Sequence, residues 1–290
     1  MPGFAPATDH YRGTALAAVG VLVLSFDALL VRLVAAPAAE IAFWRGLFIA
    51  LSLTAALRFV RRRWIWADLR HAGIPGLFLV LTMGLTQILF VAAITHTRVA
   101  NVVVILTAAP LFAALFSGVF LKEWIPLRTW CAIALCIAGI GLVFGGSVGG
   151  DGIVGDALAL LLALVVGGNF TQLRRIPNLN RLSAVGGGGL VAALAALVLA
   201  APAQTSPEAL GVLAIMGLVQ LPIALVMMTE ATRYLPSAEV TLFLVVEAIF
   251  GSYWVWLVLG EEPPGATLLG GGIVIATLVG HSWIGLRRER

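Results

Sequence analysis

The chain has 290 residues, of which 61% are apolar and 11% charged, and a formal net charge of +4. A soluble domain is about half apolar and about a quarter charged, so this composition excludes a soluble globular protein. The basic balance is no nucleic-acid footprint either, because no polar segment carries a basic stripe with interleaved aromatics.

Taken in chain order, ten apolar runs account for nearly the whole sequence: 14–34, 39–60, 72–94, 99–121, 126–144, 153–172, 183–201, 208–230, 236–258 and 265–284. A helix needs about 20 apolar residues to cross about 30 Å of hydrocarbon. In lipid every backbone N–H and C=O must be satisfied within the structure, so runs of this length are helices rather than barrel strands.

The first run follows Arg12 and is interrupted by Asp27 and Arg32. It is too long for the apolar region of a signal peptide and reads as a span. The second run carries Trp44 and Arg45 near its start. The third places Thr82, Met83, Thr86, Gln87 and Phe90 within about 140° of one helical face. The fourth contains Asn101 and Pro110, and the fifth holds both cysteines, Cys131 and Cys136. Five positions apart on one helix, the two thiols point in different directions and read as packing residues.

The Gly-rich stretch 145–155 divides the chain into five runs plus five. An odd number of crossings per half requires the halves to be inverted in the membrane. The sixth run ends with Asn169 and Gln172, and the seventh is rich in small residues around 186–189. The eighth sets Met216, Gln220, Ala224, Met227 and Ala231 within about 80°. In the ninth, Phe243, Glu247, Phe250, Gly251 and Trp254 share one face. The tenth and the fifth are the most uniformly apolar and are expected to pack outside any cavity.

Three of the 18 basic residues, Arg32, Arg45 and Arg98, read as lying at outer helix ends, and the other fifteen fall on one side if the N-terminus is cytoplasmic. The positive-inside rule then places both termini in the cytoplasm.

The two halves carry a trace of repetition. At a shift of 138, Ala100 meets Ala238, Phe112 meets Phe250, Glu123 meets Glu261, Pro126 meets Pro264 and Thr129 meets Thr267. Pro110, then Leu121-Lys122-Glu123, then Gly139 and Gly141 form one copy of a pattern. The second copy runs through Val246-Glu247-Ala248, Leu259-Gly260-Glu261 and Gly270 to Gly272, and Arg45 adds to the match. On these residues the chain resembles the drug/metabolite transporter superfamily, EamA branch, and within it the YddG-type aromatic amino-acid exporters. Ile133 and Ala248 depart from the pattern, which has Gly and Pro there.

The resemblance implies an all-α integral membrane protein of ten transmembrane helices, built as two inverted five-helix repeats, residues 1–147 and 148–290. It also implies a secondary transporter of the bacterial inner membrane that exports small organic solutes, amino acids including aromatic ones first. A drug or other-metabolite exporter of the same superfamily is the alternative, and behind it a membrane protein that does not transport.

Polar groups in hydrocarbon are costly and need a partner, a wet cavity or a function. Asp27 reads either as a cavity group or as an ion pair with Arg45 or Arg32. Glu247, with no basic residue on its own helix in reach, reads as a substrate or proton site. The expected substrate cavity comprises Asp27, Trp44, Thr82, Met83, Thr86, Gln87, Phe90, Asn169, Gln220, Met227, Phe243, Glu247 and Trp254. For each amide and hydroxyl, ordinary interhelical hydrogen bonding is the competing reading. Neither nucleophile–base pair nor metal spacing nor phosphate loop is visible, so no enzyme, cofactor or metal is expected. The expected partners are an amino-acid substrate and lipid, not nucleic acid, and the protein is expected to act as a monomer.

Overall fold

The computed structural model describes residues 7–62, 64–121, 127–147 and 152–288. Arg63, Lys122, Glu123, Pro126 and Arg290, with residues 148–151 of the Gly-rich stretch, lie outside the described residues. Every regular element among those described is helical.

Seven helical segments are long and apolar enough to cross a membrane, from His10–Val34 through Ser237–Leu259, and three shorter apolar helices occupy runs five, seven and ten. Several runs are not single rods. The first divides into α1 (Ala7–Leu24) and α2 (Asp27–Val34), with a turn at Ser25 and Phe26. The second is α3 (Ala38–Ala56), closing in a π turn at Leu57–Arg61. The third lies within α4 (Ile65–His96), which bends at Gly73, φ +61°, just before Pro75. Glycine carries that left-handed backbone without a Cβ clash, and the proline cannot donate to the preceding turn.

The fourth run divides into α5 (Val99–Leu106) and α6 (Ala109–Phe120). Pro110 sits in the first turn of α6, where a missing N–H costs nothing, and so marks the restart. α7 (Leu127–Ser147), α8 (Ile153–Arg175) and α9 (Arg181–Ala196) follow. The eighth run is α10 (Pro207–Ile215), a π turn at Met216–Gln220, and α11 (Leu221–Ala231). The ninth divides at Phe243 into α12 (Ser237–Leu242) and α13 (Leu244–Leu259), and α14 (Gly265–Arg288) ends the chain.

Between lipid-facing helices there is little hydrophobic drive, so packing rests on close approach of small residues. α3 and α4 both pack along α9, α4 and α6 along α8, α1 along α11, α7 along α14, and α5 and α6 also along α13 and α12. At the α3–α9 contact Gly46 and Gly189 face each other, and a Cβ on either would strike the other's backbone carbonyl. Gly139 and Gly270 make the same approach between α7 and α14. Cys136 is buried, whereas Cys131 is exposed, so only the former is a packing residue.

Polar contacts sort to the two ends of the bundle. At one end lie His10 against Glu239, Arg12 over the Tyr234 ring and Arg175 over the Phe120 ring. Arg181 donates to the Leu173 and Ile176 carbonyls at the end of α8 there. At the other end Arg32 pairs with Glu261 at 3.4 Å, Thr97 donates to Asp156 at 2.8 Å, and Asn101 also donates to Asp156. Thr267 donates to the Asn101 carbonyl oxygen, and Arg98 to the Glu262 backbone.

Candidate functional site

Between these ends the helices line a partly open cavity of about 110 Å3. Among the described residues its wall takes side chains from runs one to four and six to nine, and none from α7 or α14. Most of the wall is apolar, with Leu24, Leu106, Leu162, Val166, Phe170 and Leu244 among its residues. Six polar residues that are almost wholly buried line it: Asp27 (1% exposed), Glu247 (2%), Arg45 (3%), Thr229 (4%), Asn169 (6%) and Gln87 (8%).

The broken helices explain why acids can sit here. Asp27 is the first residue of α2 and Glu247 stands in the first turn of α13. Both carboxyls therefore lie at the N-terminal start of a half-helix. Free backbone N–H groups and the positive end of the helix dipole favour an acid at that point.

The breaks are themselves supported. Gln220 Nε2 donates to the Val23 carbonyl at 2.9 Å, Ser25 Oγ donates to Leu22 O at 2.8 Å, and Trp254 Nε1 donates to Ser25 Oγ at 3.2 Å. Irregular backbone at membrane depth persists only where protein partners of this kind satisfy it.

Arg45 Nη2 meets Asp27 Oδ2 at 2.7 Å, and the guanidinium lies over the Phe90 ring, 5.1 Å from its centroid. Glu247 borders the same cavity as this pair. This corrects the placement of Arg45 at an outer helix end. It is a deep, buried cation, and Asp27 is both its ion-pair partner and a cavity group.

Of the residues expected from sequence, Asp27, Met83, Thr86, Gln87, Phe90, Asn169 and Glu247 border the cavity. The other six do not. Thr82 stands one step behind, donating to Asn169 Oδ1 at 2.6 Å and so fixing that amide. Trp44 is drawn away by its bond to Thr205 Oγ1 at 3.0 Å, and by stacking on Phe48.

Gln220 and Met227 are displaced by the π turn at Met216–Gln220, whose extra residue rotates everything after it. Leu225, Met228 and Thr229 border the cavity instead, and Met227 and Met228 both lie against Gly20 of α1. Phe243 is the hinge between α12 and α13. Trp254 stacks on Phe26 with ring centroids 5.0 Å apart, bracing the α1–α2 turn rather than the cavity, and Phe250 is exposed.

Sequence reasoning missed Arg45, Phe170, Met228 and Thr229 as wall residues. Arg45 had a usable signal, namely its position inside an apolar run beside the small residue Gly46.

The EamA-like transporter family model matches this chain twice, over residues 11–145 and 153–283. The pseudopaline exporter CntI of Pseudomonas aeruginosa, in each of two strains, is 26% identical over 251 residues, 85% of this chain and 86% of the relative. A solved crystal structure shares the fold with a TM-score of 0.68 at 15% identity, covering 94% of this chain and 98% of its own.

Proposed function

The chain belongs to the EamA-like transporter family, and from that premise we propose that it is a secondary transporter exporting small organic solutes, amino acids including aromatic ones first, across the bacterial inner membrane. It is a multi-pass membrane protein, and its family is one of transporters rather than enzymes.

The observation that carries the reading is the central cavity. It is walled by apolar and aromatic side chains, holds a few buried charges, and lies between two polar ends. Sites in secondary transporters lie near the midplane, where discontinuous helices meet. Runs one, four and nine are discontinuous where they border this cavity.

Ten crossings in two inverted repeats, 1–147 and 148–290, follow from the same reading. The seven long spans and three shorter apolar helices make ten candidates, and the family model matches once in each half. Among the helix pairings, run one packs with eight, two with seven, three with six, four with nine and five with ten, a set unchanged when the halves are exchanged; run three also packs along seven and four along six. The end rich in Arg12, Arg175, Arg181 and Arg233 is the cytoplasmic one by the positive-inside rule, so both termini are cytoplasmic. Alternating access then rocks the two halves around the cavity.

The test is counterflow: purified protein in liposomes loaded with unlabelled amino acids, challenged with labelled phenylalanine, leucine or threonine. Accumulation above protein-free liposomes supports the reading, and no exchange of any of them rejects amino-acid transport. A second reading, export of a larger metabolite, is favoured by the relatives named as pseudopaline exporters.

A further inference from the structure

Around the central cavity, five buried polar atoms have no hydrogen-bond partner among the described residues. Three are acceptors, Asp27 Oδ1, Gln87 Oε1 and Glu247 Oε2, and two are donors, Arg45 Nε and Arg45 Nη1. Buried polar atoms are almost always paired, so a cluster of orphans around one cavity points to a ligand that supplies what is missing.

We propose that these groups form a divided recognition site for the two charged ends of an α-amino acid, in which Arg45 holds the carboxylate and Glu247, Gln87 and Asp27 hold the ammonium. This rests on the transporter reading of the cavity.

The donor and acceptor counts select the ligand. An ammonium group has three N–H donors and no acceptor, and three buried acceptors stand unpaired. A carboxylate only accepts, and Arg45 keeps two kinds of N–H free after its bond to Asp27. A simple organic cation would satisfy the acceptors and leave the guanidinium donors unpaired. A simple organic anion would do the reverse. A zwitterion satisfies both sets and adds no net charge to a buried site, which avoids a large desolvation cost.

The neighbours fit the same division. Phe90 under the guanidinium fixes its plane, and the Thr82 hydroxyl fixes Asn169 on the wall. Leu106, Leu162, Val166 and Phe170 leave apolar surface for a side chain and no fixed charge to choose among side chains. The site therefore reads the amino-acid backbone strictly and the side chain loosely.

The experiment is competition against labelled phenylalanine in the reconstituted wild-type protein, using phenylalanine, phenylalaninamide, N-acetylphenylalanine and phenethylamine. A site built to hydrogen-bond a group rejects analogues lacking it far more strongly than it rejects a changed apolar group. The amide, the N-acetyl compound and the amine should each compete at least about 100-fold more weakly than phenylalanine, while leucine competes within about 10-fold. In Arg45→Lys the preference for acid over amide should shrink, and in Glu247→Gln the preference for free over acetylated amine should shrink. Exchange that proceeds with the amide and N-acetyl compound competing as well as phenylalanine overturns the divided site but leaves the transporter standing. Absence of any phenylalanine exchange overturns both.

Discussion

At the residue scale, Trp254 shows how a side chain's place in the packing resets its role. Its sequence position beside Glu247 suggests a stacking surface for aromatic substrates. Its ring instead lies against Phe26 at an interplanar angle of 15°, and its indole N–H donates to Ser25. Trp254 is only partly buried, so truncating it should cost less than the about 3–5 kcal/mol of a core Trp. Trp254→Ala should therefore lower the thermal stability of the purified protein and slow phenylalanine and threonine exchange alike. A selective loss of aromatic substrates at unchanged stability would return Trp254 to the cavity. The acids were legible in the sequence because a carboxylate inside an apolar run demands an explanation. Arg45 was harder, because whether it lay at a helix end or in mid-bundle depended on where the outer boundary of α3 fell.

At the element scale, span positions could be read from hydropathy, but the breaks could not. Length and apolarity are blind to a turn at Ser25–Phe26, whose backbone groups are satisfied by Gln220 and Trp254 from distant runs. The π turn at Met216–Gln220 is equally silent in the sequence, and it is why a face drawn at a constant ~100° per residue chose Met227 over Met228. Pro110, in the first turn of α6, is a sequence signal for the break in run four that the reading of 99–121 as one span did not use.

Close helix contacts were more legible: the small residues of run seven let α9 approach α3 until Gly46 and Gly189 touch backbones. Gly46→Leu should force these helices apart. Overpacking of this kind costs about 1–3 kcal/mol, so the melting temperature should fall. Gly211→Leu, at a glycine with open space around it, should be nearly silent in the same assay. Equal effects of the two would remove the close-packing explanation.

At the scale of the whole molecule, the all-helical membrane architecture followed from composition alone, and the family from a pattern distributed over both halves. What composition could not supply was the centre: which of many polar residues converge, and which merely brace neighbouring helices. Convergence depends on helix breaks, rotations and interhelical ion pairs, all of them long-range. The central claim is that substrate passes through the cavity walled by residues such as Val166 and Leu162. Val166→Trp places a large ring in a space of about 110 Å3. Counterflow of labelled phenylalanine in liposomes carrying this variant, folded as judged by its melting temperature, is the most direct measurement. Exchange should fall to the level of protein-free liposomes, and exchange at the wild-type rate would place the transport path elsewhere.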